Sequence, residues 1–325
     1  MPTIVAIVLV SIVGIAAVLA VILRAPAPLT EASMLVKDDQ VDPAQLEKHV
    51  RVISEQLGPR DFSNLEGLKK VANYIFTEFE IAGGQPEYQD YLVGSTTYQN
   101  VIARFGPQTE ERIVLGAHYD SAGALPGADD NASGVAGVLE LAKIFREHPP
   151  SIQIELVAYC LEEPPYFRTP SMGSAVHAQS LRDQGVKVRA MYSLEMLGFF
   201  SDEPNSQRYP SRLLNLFYPS VGNFMTVVGT FGQENLTGRI RKAMQSATAL
   251  PIYAIRAPKF LVGIDFSDHM NYWNNDYPAV MITDTSFYRN ANYHTEHDTA
   301  DTLDYERMAQ TVTAIWNSVT YLSKQ

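Results

Sequence analysis

The chain has 325 residues, enough for one large α/β domain or two ordinary ones, and its 46% hydrophobic and 19% charged content excludes a disordered or collagen-like polymer. Thirty-six acids against 25 bases give a formal net charge of −11, which argues against a nucleic-acid partner, because neutralising phosphates takes a basic face. The single cysteine, Cys160, excludes an internal disulfide framework and any multi-cysteine zinc module, so metal chemistry here has to use His, Asp and Glu.

In chain order, residues 4–23 come first, an apolar run broken only by Ser11 and Gly14. As a helix rising ~1.5 Å per residue it would be about 30 Å long, the thickness of a hydrocarbon core. It exceeds the roughly 7–15 apolar residues of a cleaved signal peptide, and Met1-Pro2-Thr3 carries no basic side chain. Residues 1–24 therefore read as a transmembrane anchor, with a cleaved signal segment as the alternative. Arg24 and Lys37 after the helix favour keeping the downstream chain in the cytoplasm, a rule that large domains after a span often override. Residues 25–41, with Pro26 and Pro28, read as a linker lifting a soluble domain off the bilayer. The expected location is membrane-anchored with the domain outside the cytoplasm, periplasmic or extracellular, or secreted after cleavage.

Residues 42–325 show no composition shift and no repeat, and read as one domain. Ser63 with Glu66 predicts a capping box, after which Leu68, Val71, Ile75 and Phe79 hold one helical face until Gly83-Gly84 ends it. Residues 100–105, 112–116, 152–160 and 190–194 predict strands, and residues 134–145 and 171–184 predict helices between them. The stretch 201–265 is the least legible, with a strand near 224–228 and a basic helix near 235–247. Residues 279–283 predict another strand, and Met308, Val312, Ile315, Val319 and Leu322 a final amphipathic helix. The expected fold is α/β, a mixed, mostly parallel twisted sheet with helices on both faces.

Polar residues gather where these strands end, which is where open α/β sheets build their sites. Gly116-Ala117-His118-Tyr119-Asp120-Ser121 follows a strand and puts His118 and Asp120 on one side, so that Asp120 can accept the imidazole's other N–H, as behind a metal-bound histidine. Taken alone, His-x-Asp is more often a packed or surface histidine. Pro126-Gly127-Ala128-Asp129-Asp130-Asn131-Ala132-Ser133-Gly134 opens the next helix; it suits an acidic N-cap, and Asn131-Ala132-Ser133 also matches a glycosylation sequon. Glu162 and Glu163 end one apolar strand and Glu195 the next, where a carboxylate is costly unless paired or bound to a cation. Tyr293-His294-Thr295-Glu296-His297-Asp298-Thr299 lies in a polar loop beyond the last strand.

In this order the series GAHYDS, PGADDNASG, LEEPP, SLEML and YHTEHDTAD resembles the M28 family of zinc-dependent exopeptidases, over roughly residues 101–304. The resemblance implies two zinc ions in a single α/β domain. Asp130 would bridge them, His118 and Glu195 would complete one site, and Glu163 and His294 the other. Glu162 would be the general base, Asp120 the carboxylate behind His118, and Tyr293 a hydrogen-bond donor to the tetrahedral intermediate. It also implies a cis peptide between Asp130 and Asn131. Many members carry Asp where this chain has Glu195, and the extra methylene keeps an oxygen ligand while changing its reach. Two His and three carboxylates suit borderline-soft zinc, and can hold two ions ~3.5–4 Å apart around a water whose pKa falls to about 7. His49, His148, His177, His269 and His297 stay unassigned; Asp268-His269 resembles a family segment near the substrate pocket, but is expected to serve packing. The expected activity is that of a membrane-tethered dizinc aminopeptidase on peptide substrates, with carboxypeptidase action open. Two other readings stand beside it: a one-zinc cyclase of N-terminal glutamine, since glutaminyl cyclases resemble this family, and a non-catalytic binding ectodomain.

Overall fold

The computed structural model describes residues 41–325; the expected membrane anchor and nearly all of the linker fall on residues 1–40, outside the described residues. Among the described residues no helix is long and apolar enough to cross a membrane.

The described residues open with a helix that the apolar periodicity had not marked, α1 (Pro43–Arg51), started by the Asp42 side chain, which accepts from the Ala44 N–H, and by proline in its first turn. Helix α2 (Leu65–Ile81) buries Leu68, Val71, Ile75 and Phe79 as expected. Its cap differs from the expected one. Asn64, not Ser63, accepts from the Gly67 N–H, because Ser63 is turned to Asp61, and Glu66 pairs with Lys70. The chain then runs β1 (Glu87–Val93), β2 (Thr96–Phe105), β3 (Glu111–His118), α3 (Gly134–Glu147), β4 (Gln153–Tyr159), α4 (Gly173–Asp183) and β5 (Lys187–Glu195). It continues through β6 (Met225–Gly229), α5 (Glu234–Gln245), β7 (Ile252–Arg256), α6 (His269–Asn274), β8 (Ala279–Thr283) and α7 (Tyr305–Ser323).

The eight strands of the described residues form one sheet in the order β1-β2-β4-β3-β5-β8-β6-β7. The centre, β4-β3-β5-β8, is parallel, while β2 runs against β4 and β6 against β8. The sheet is thus mixed with a parallel heart. Strand β4 is buried along its whole length, as a strand covered on both faces must be. One face packs a large core of Ile113, Leu115, Leu139, Val312 and Ile315 among others, under helices α1, α2, α3, α5 and α7. The other face, with Val114, Val157, Met191 and Met281, is covered by α4 and α6. Each fully buried aliphatic side chain stabilises the fold by about 1.5–3 kcal/mol, so the parallel heart is the most rigid platform available. The carboxyl ends of its four strands point the same way, and the candidate residues stand there.

Candidate metal centre

Strand β3 ends on His118 and β5 on Glu195, while Glu162 and Glu163 follow three and four residues after the end of β4. Asp130 lies in the irregular turn of residues 128–133 between β3 and α3, and His294 in the loop beyond β8. The structure brings all of them together. His118 Nε2 lies 3.3 Å from Asp130 Oδ1 and 3.6 Å from Glu195 Oε2. His294 Nε2 lies 3.1 Å from Asp130 Oδ2 and 3.2 Å from Glu163 Oε2. Asp130 therefore offers one oxygen to each histidine. Two groups of potential ligands share it: His118, Asp130 and Glu195, and Asp130, Glu163 and His294, each with ligand atoms within 4.8 Å of one another.

The turn is shaped to allow this. Gly127 has φ 58°, and a Cβ there would come 2.3 Å from the Asp130 carbonyl oxygen, so only glycine closes the loop this tightly. The Asp130–Asn131 peptide is cis, as the resemblance implied. Asn131 is fully buried, which takes its sequon out of reach in the folded chain. Its amide donates to the Leu194 carbonyl at 2.8 Å and accepts from Gly134 and Met196, tying the turn to the end of β5.

Other side chains act as clamps. Asp120 lies behind His118, its Oδ1 3.5 Å from Nδ1, and its two oxygens accept the Glu162 and Glu163 backbone N–H groups at 3.1 Å each. It thus fixes the first candidate ligand and the two glutamates at once. Asp298 does the same for the turn, accepting from Asp129 N at 3.0 Å and Asp130 N at 3.1 Å, and so couples the His294 loop to Asp130. Leu161, Met196 and His294 sit at φ 65°, 53° and 55°, uncommon for side-chain-bearing residues and retained where surrounding bonds enforce them. Arg60 is a residue that sequence reasoning missed. Its fully buried guanidinium donates to the carbonyls of Tyr119, Pro126 and Gly127 at 2.8, 2.5 and 2.7 Å, gripping the loop between His118 and Asp130 from beneath. No motif announces such a role, because its acceptors are main-chain atoms.

Burial and neighbouring charges shift the protonation equilibria of the cluster. Burial, then the Asp130 charge, pushes the Glu163 carboxyl up to about 7 against the pull of His294. Burial also carries Glu162 well above the usual carboxylate range; His118 opposes that shift, and Glu163 and Glu195 add to it. Burial works the same way on Asp130, yet the neighbouring His118 and His294 imidazoles hold it below the ordinary range. Burial would lower His294, but its bonds to Asp130 and Glu163 carry it up to about 10. Protons thus compensate the carboxylates where a cation would otherwise do so. The donor set fits a metal on independent grounds as well: His118 Nε2 and Glu163 Oε1 are buried without a hydrogen-bond partner among the described residues. Imidazole and carboxylate are zinc ligands, and a buried polar atom left without a partner is costly.

Tyr293 stacks on the His294 ring, centroids 3.8 Å apart and planes 16° from parallel, and both line the cavity beside the cluster. Asp268 lies buried at the start of α6, neither oxygen hydrogen-bonded among the described residues, and burial pushes it up to about 7. His269 serves packing as expected, with Nε2 2.8 Å from the Ile264 carbonyl and its ring edge-on to Trp273. His49 and His177 bond Tyr74 and Tyr272, His148 packs on Trp316, and His297 is exposed; none belongs to the cluster. Beside the cluster a cavity of about 280 Å³ is walled mainly by apolar side chains, including Phe167, Phe224, Val228, Leu261, Phe266 and Met281. Its polar end is Asp130, Glu162, Glu163, Glu195, Tyr293 and His294. Much of its wall, from Gln207 to Ile264, comes from the stretch 201–265 that is least legible in sequence.

A mixed sheet with a parallel heart, with histidines and carboxylates at its strand ends and in the loops beyond them, opening on an apolar cavity, defines a metallopeptidase-like site. The sequence matches peptidase family M28 over residues 100–319, and the chain belongs to that family of peptidases. It is similar to the uncharacterized protein YfbL of Escherichia coli (strain K12), 45% identical over 288 residues that cover 85% of this chain and 88% of that one. It is 26% identical over 239 residues to a probable leucine aminopeptidase 1 of Trichophyton verrucosum, covering 69% of this chain and 58% of the relative, so it spans little more than half of that protein. In fold it resembles a leucine aminopeptidase precursor from Bacteroides thetaiotaomicron, with a TM-score of 0.67 at 19% identity over 88% of this chain and 99% of the other.

Proposed function

We infer that the chain is a dizinc aminopeptidase, tethered to a membrane by residues 4–23 with its catalytic part outside the cytoplasm, that removes bulky apolar N-terminal residues from peptides. The observation that carries the two-metal reading is Asp130, whose two oxygens lie 3.3 Å and 3.1 Å from different histidines. His118, Glu195 and Asp130 would hold one ion, and Glu163, His294 and Asp130 the other. Bound zinc supplies a Lewis acid for the scissile carbonyl and makes a nearby water acidic enough to attack near neutral pH.

The remaining work falls to the chain. Glu162 is buried beside the cluster, and among the described residues its side chain makes no hydrogen bond, which leaves it free to take the attacking water's proton and return it to the leaving amine. Asp120 positions Glu162 and Glu163 through their backbone N–H groups. The Tyr293 hydroxyl, kept protonated by burial and by the surrounding carboxylates, donates to the developing oxyanion. The apolar cavity accepts the side chain of the N-terminal residue, in keeping with the leucine aminopeptidase name of its relative.

The test is a panel of N-terminally free and N-blocked peptides with apolar, acidic and basic first residues, assayed with zinc and accompanied by metal analysis. Two zinc ions per chain and cleavage of free apolar N-termini are expected. One zinc per chain with cyclisation of N-terminal glutamine and no cleavage would instead make the protein a cyclase, and absence of zinc would make it a binding ectodomain. Fractionation and alkaline extraction of membranes test the tether, which predicts a pelleting protein with a protease-accessible domain on the non-cytoplasmic side.

A further inference from the structure

The cavity is electrically lopsided. Four carboxylates, Asp130, Glu162, Glu163 and Glu195, stand at the cluster end. Arg208 is the one arginine or lysine among the described residues that line the cavity. Its backbone N–H donates to the Tyr288 carbonyl at 2.8 Å, and its neighbour Gln207 donates from its side chain to the Arg208 carbonyl at 2.9 Å, so the main chain is pinned to the cavity wall. Arg208 is exposed, and among the described residues its guanidinium has no hydrogen bond, ion pair or aromatic partner.

Nearby arginines are committed. Arg168 is bound to Asp265 at 2.5 Å and lies over the rings of Phe167 and Phe266. Arg289 is buried, with Nε 2.9 Å from Gln207 Oε1 and Nη1 3.2 Å from the Phe199 carbonyl. In a chain with a net charge of −11, a guanidinium left open on the wall of a substrate cavity is placed for an anion that arrives with the substrate.

We propose that Arg208 is a carboxylate subsite that selects short peptides, receiving the C-terminal carboxylate of a di- or tripeptide whose amino end lies at the acidic cluster. An extended dipeptide spans at most about 7 Å and a tripeptide about 10 Å, and a cavity of about 280 Å³ is at the small end for small-molecule sites. An acidic side chain on the second residue presents the same chemistry, and the substrate series separates the two sources. The inference rests on the aminopeptidase reading above and sharpens its substrate class.

The experiment compares Leu-Leu, Leu-Leu-amide and Leu-Glu-amide with the zinc-loaded wild-type chain, Arg208→Gln and Arg208→Lys. The readout is each carboxylate peptide's KM relative to that of Leu-Leu-amide. For Leu-Leu the wild-type ratio should favour the free acid by roughly five- to tenfold, return to about one in Arg208→Gln, and stay intermediate in Arg208→Lys. The wild-type preference should also shrink between low and high salt, because an exposed ion pair is screened, and this arm stands even if a variant does not fold. A preference for Leu-Glu-amide alone would replace the C-terminal carboxylate by an acidic side chain and overturn the short-peptide selection. One common KM for all three peptides, or a preference that survives Arg208→Gln, overturns the subsite while leaving the aminopeptidase intact. No turnover of any of them sinks the aminopeptidase reading, and this inference with it.

Discussion

Glu162→Gln separates chemistry from structure at this site. The substitution keeps shape and volume, and it removes no side-chain hydrogen bond among the described residues, because only the Glu162 backbone N–H is engaged, with Asp120. Glu162 Oε2 is 3.9 Å from His118 Nε2, farther than Asp130 Oδ1 at 3.3 Å or Glu195 Oε2 at 3.6 Å, so the ligand groups around Asp130 stay complete without it. What disappears is the proton acceptor, and kcat on a leucyl peptide should fall at least about a hundredfold, or about 2.7 kcal/mol at roughly 1.36 kcal/mol per decade. The metal-free variant should be the more stable protein at pH 8. The wild-type carboxyl is raised above its unfolded range, so it weakens the fold as pH climbs through the unfolded pKa and does so fully above the folded one. Steady-state kinetics, zinc analysis and thermal melting of metal-free protein at pH 5 and pH 8 check this. Loss of bound zinc, or turnover within tenfold of wild type, would refute the assignment of Glu162 as a base standing beside the ligands.

Asp130→Ala removes both oxygens that face the two histidines, so zinc analysis should show occupancy falling at both sites; one ion retained with activity intact would end the bridging role. Arg60→Met strips a donor from each of three buried carbonyls, at about 1–3 kcal/mol for each group left unsatisfied, and should lower stability by at least about 3 kcal/mol in urea unfolding and weaken zinc retention against a chelator; a change under about 1 kcal/mol means Arg60 is no clamp. Glu155 is buried, which raises its pKa, yet His177, Arg112 and Arg104 overcome this and hold it at about 2. Because its folded pKa lies below the unfolded one, its contribution, on the order of 3 kcal/mol at most, is present above about pH 4.5 and is lost as pH falls toward 2. The stability gap between wild type and Glu155→Gln in guanidinium unfolding should therefore narrow between pH 5 and pH 3, and a gap independent of pH argues against that charge network.

The sequence by itself determined the parts written in short-range chemistry. Apolar runs ending in His118, Glu162-Glu163 and Glu195 marked parallel strands that deliver polar groups at their carboxyl ends. The periodic apolar positions of α2 and α7 likewise needed nothing beyond their own spacing. Tertiary structure decided what depends on partners far away in the chain. Strand β1, with its half-exposed burial, and the edge strand β7 have weak patterns of their own and exist because β2 and β6 offer ladders to them. The antiparallel joins at β2 and β6 follow from connection paths that no local pattern states. The helix cap moved from Ser63 to Asn64 because Asp61 competes for the serine hydroxyl. Arg60 and Asp298 bind main-chain atoms 59 or more residues away, and a backbone carbonyl or N–H carries no side-chain signature to be read in advance. The apolar cavity is assembled from segments that read as separate turns and short strands, so its shape exists only once β6, β7 and β8 are side by side. Ligand identity is a property of residue type and strand-end position, whereas cavity shape and clamping are properties of distance, which a chain acquires only by folding.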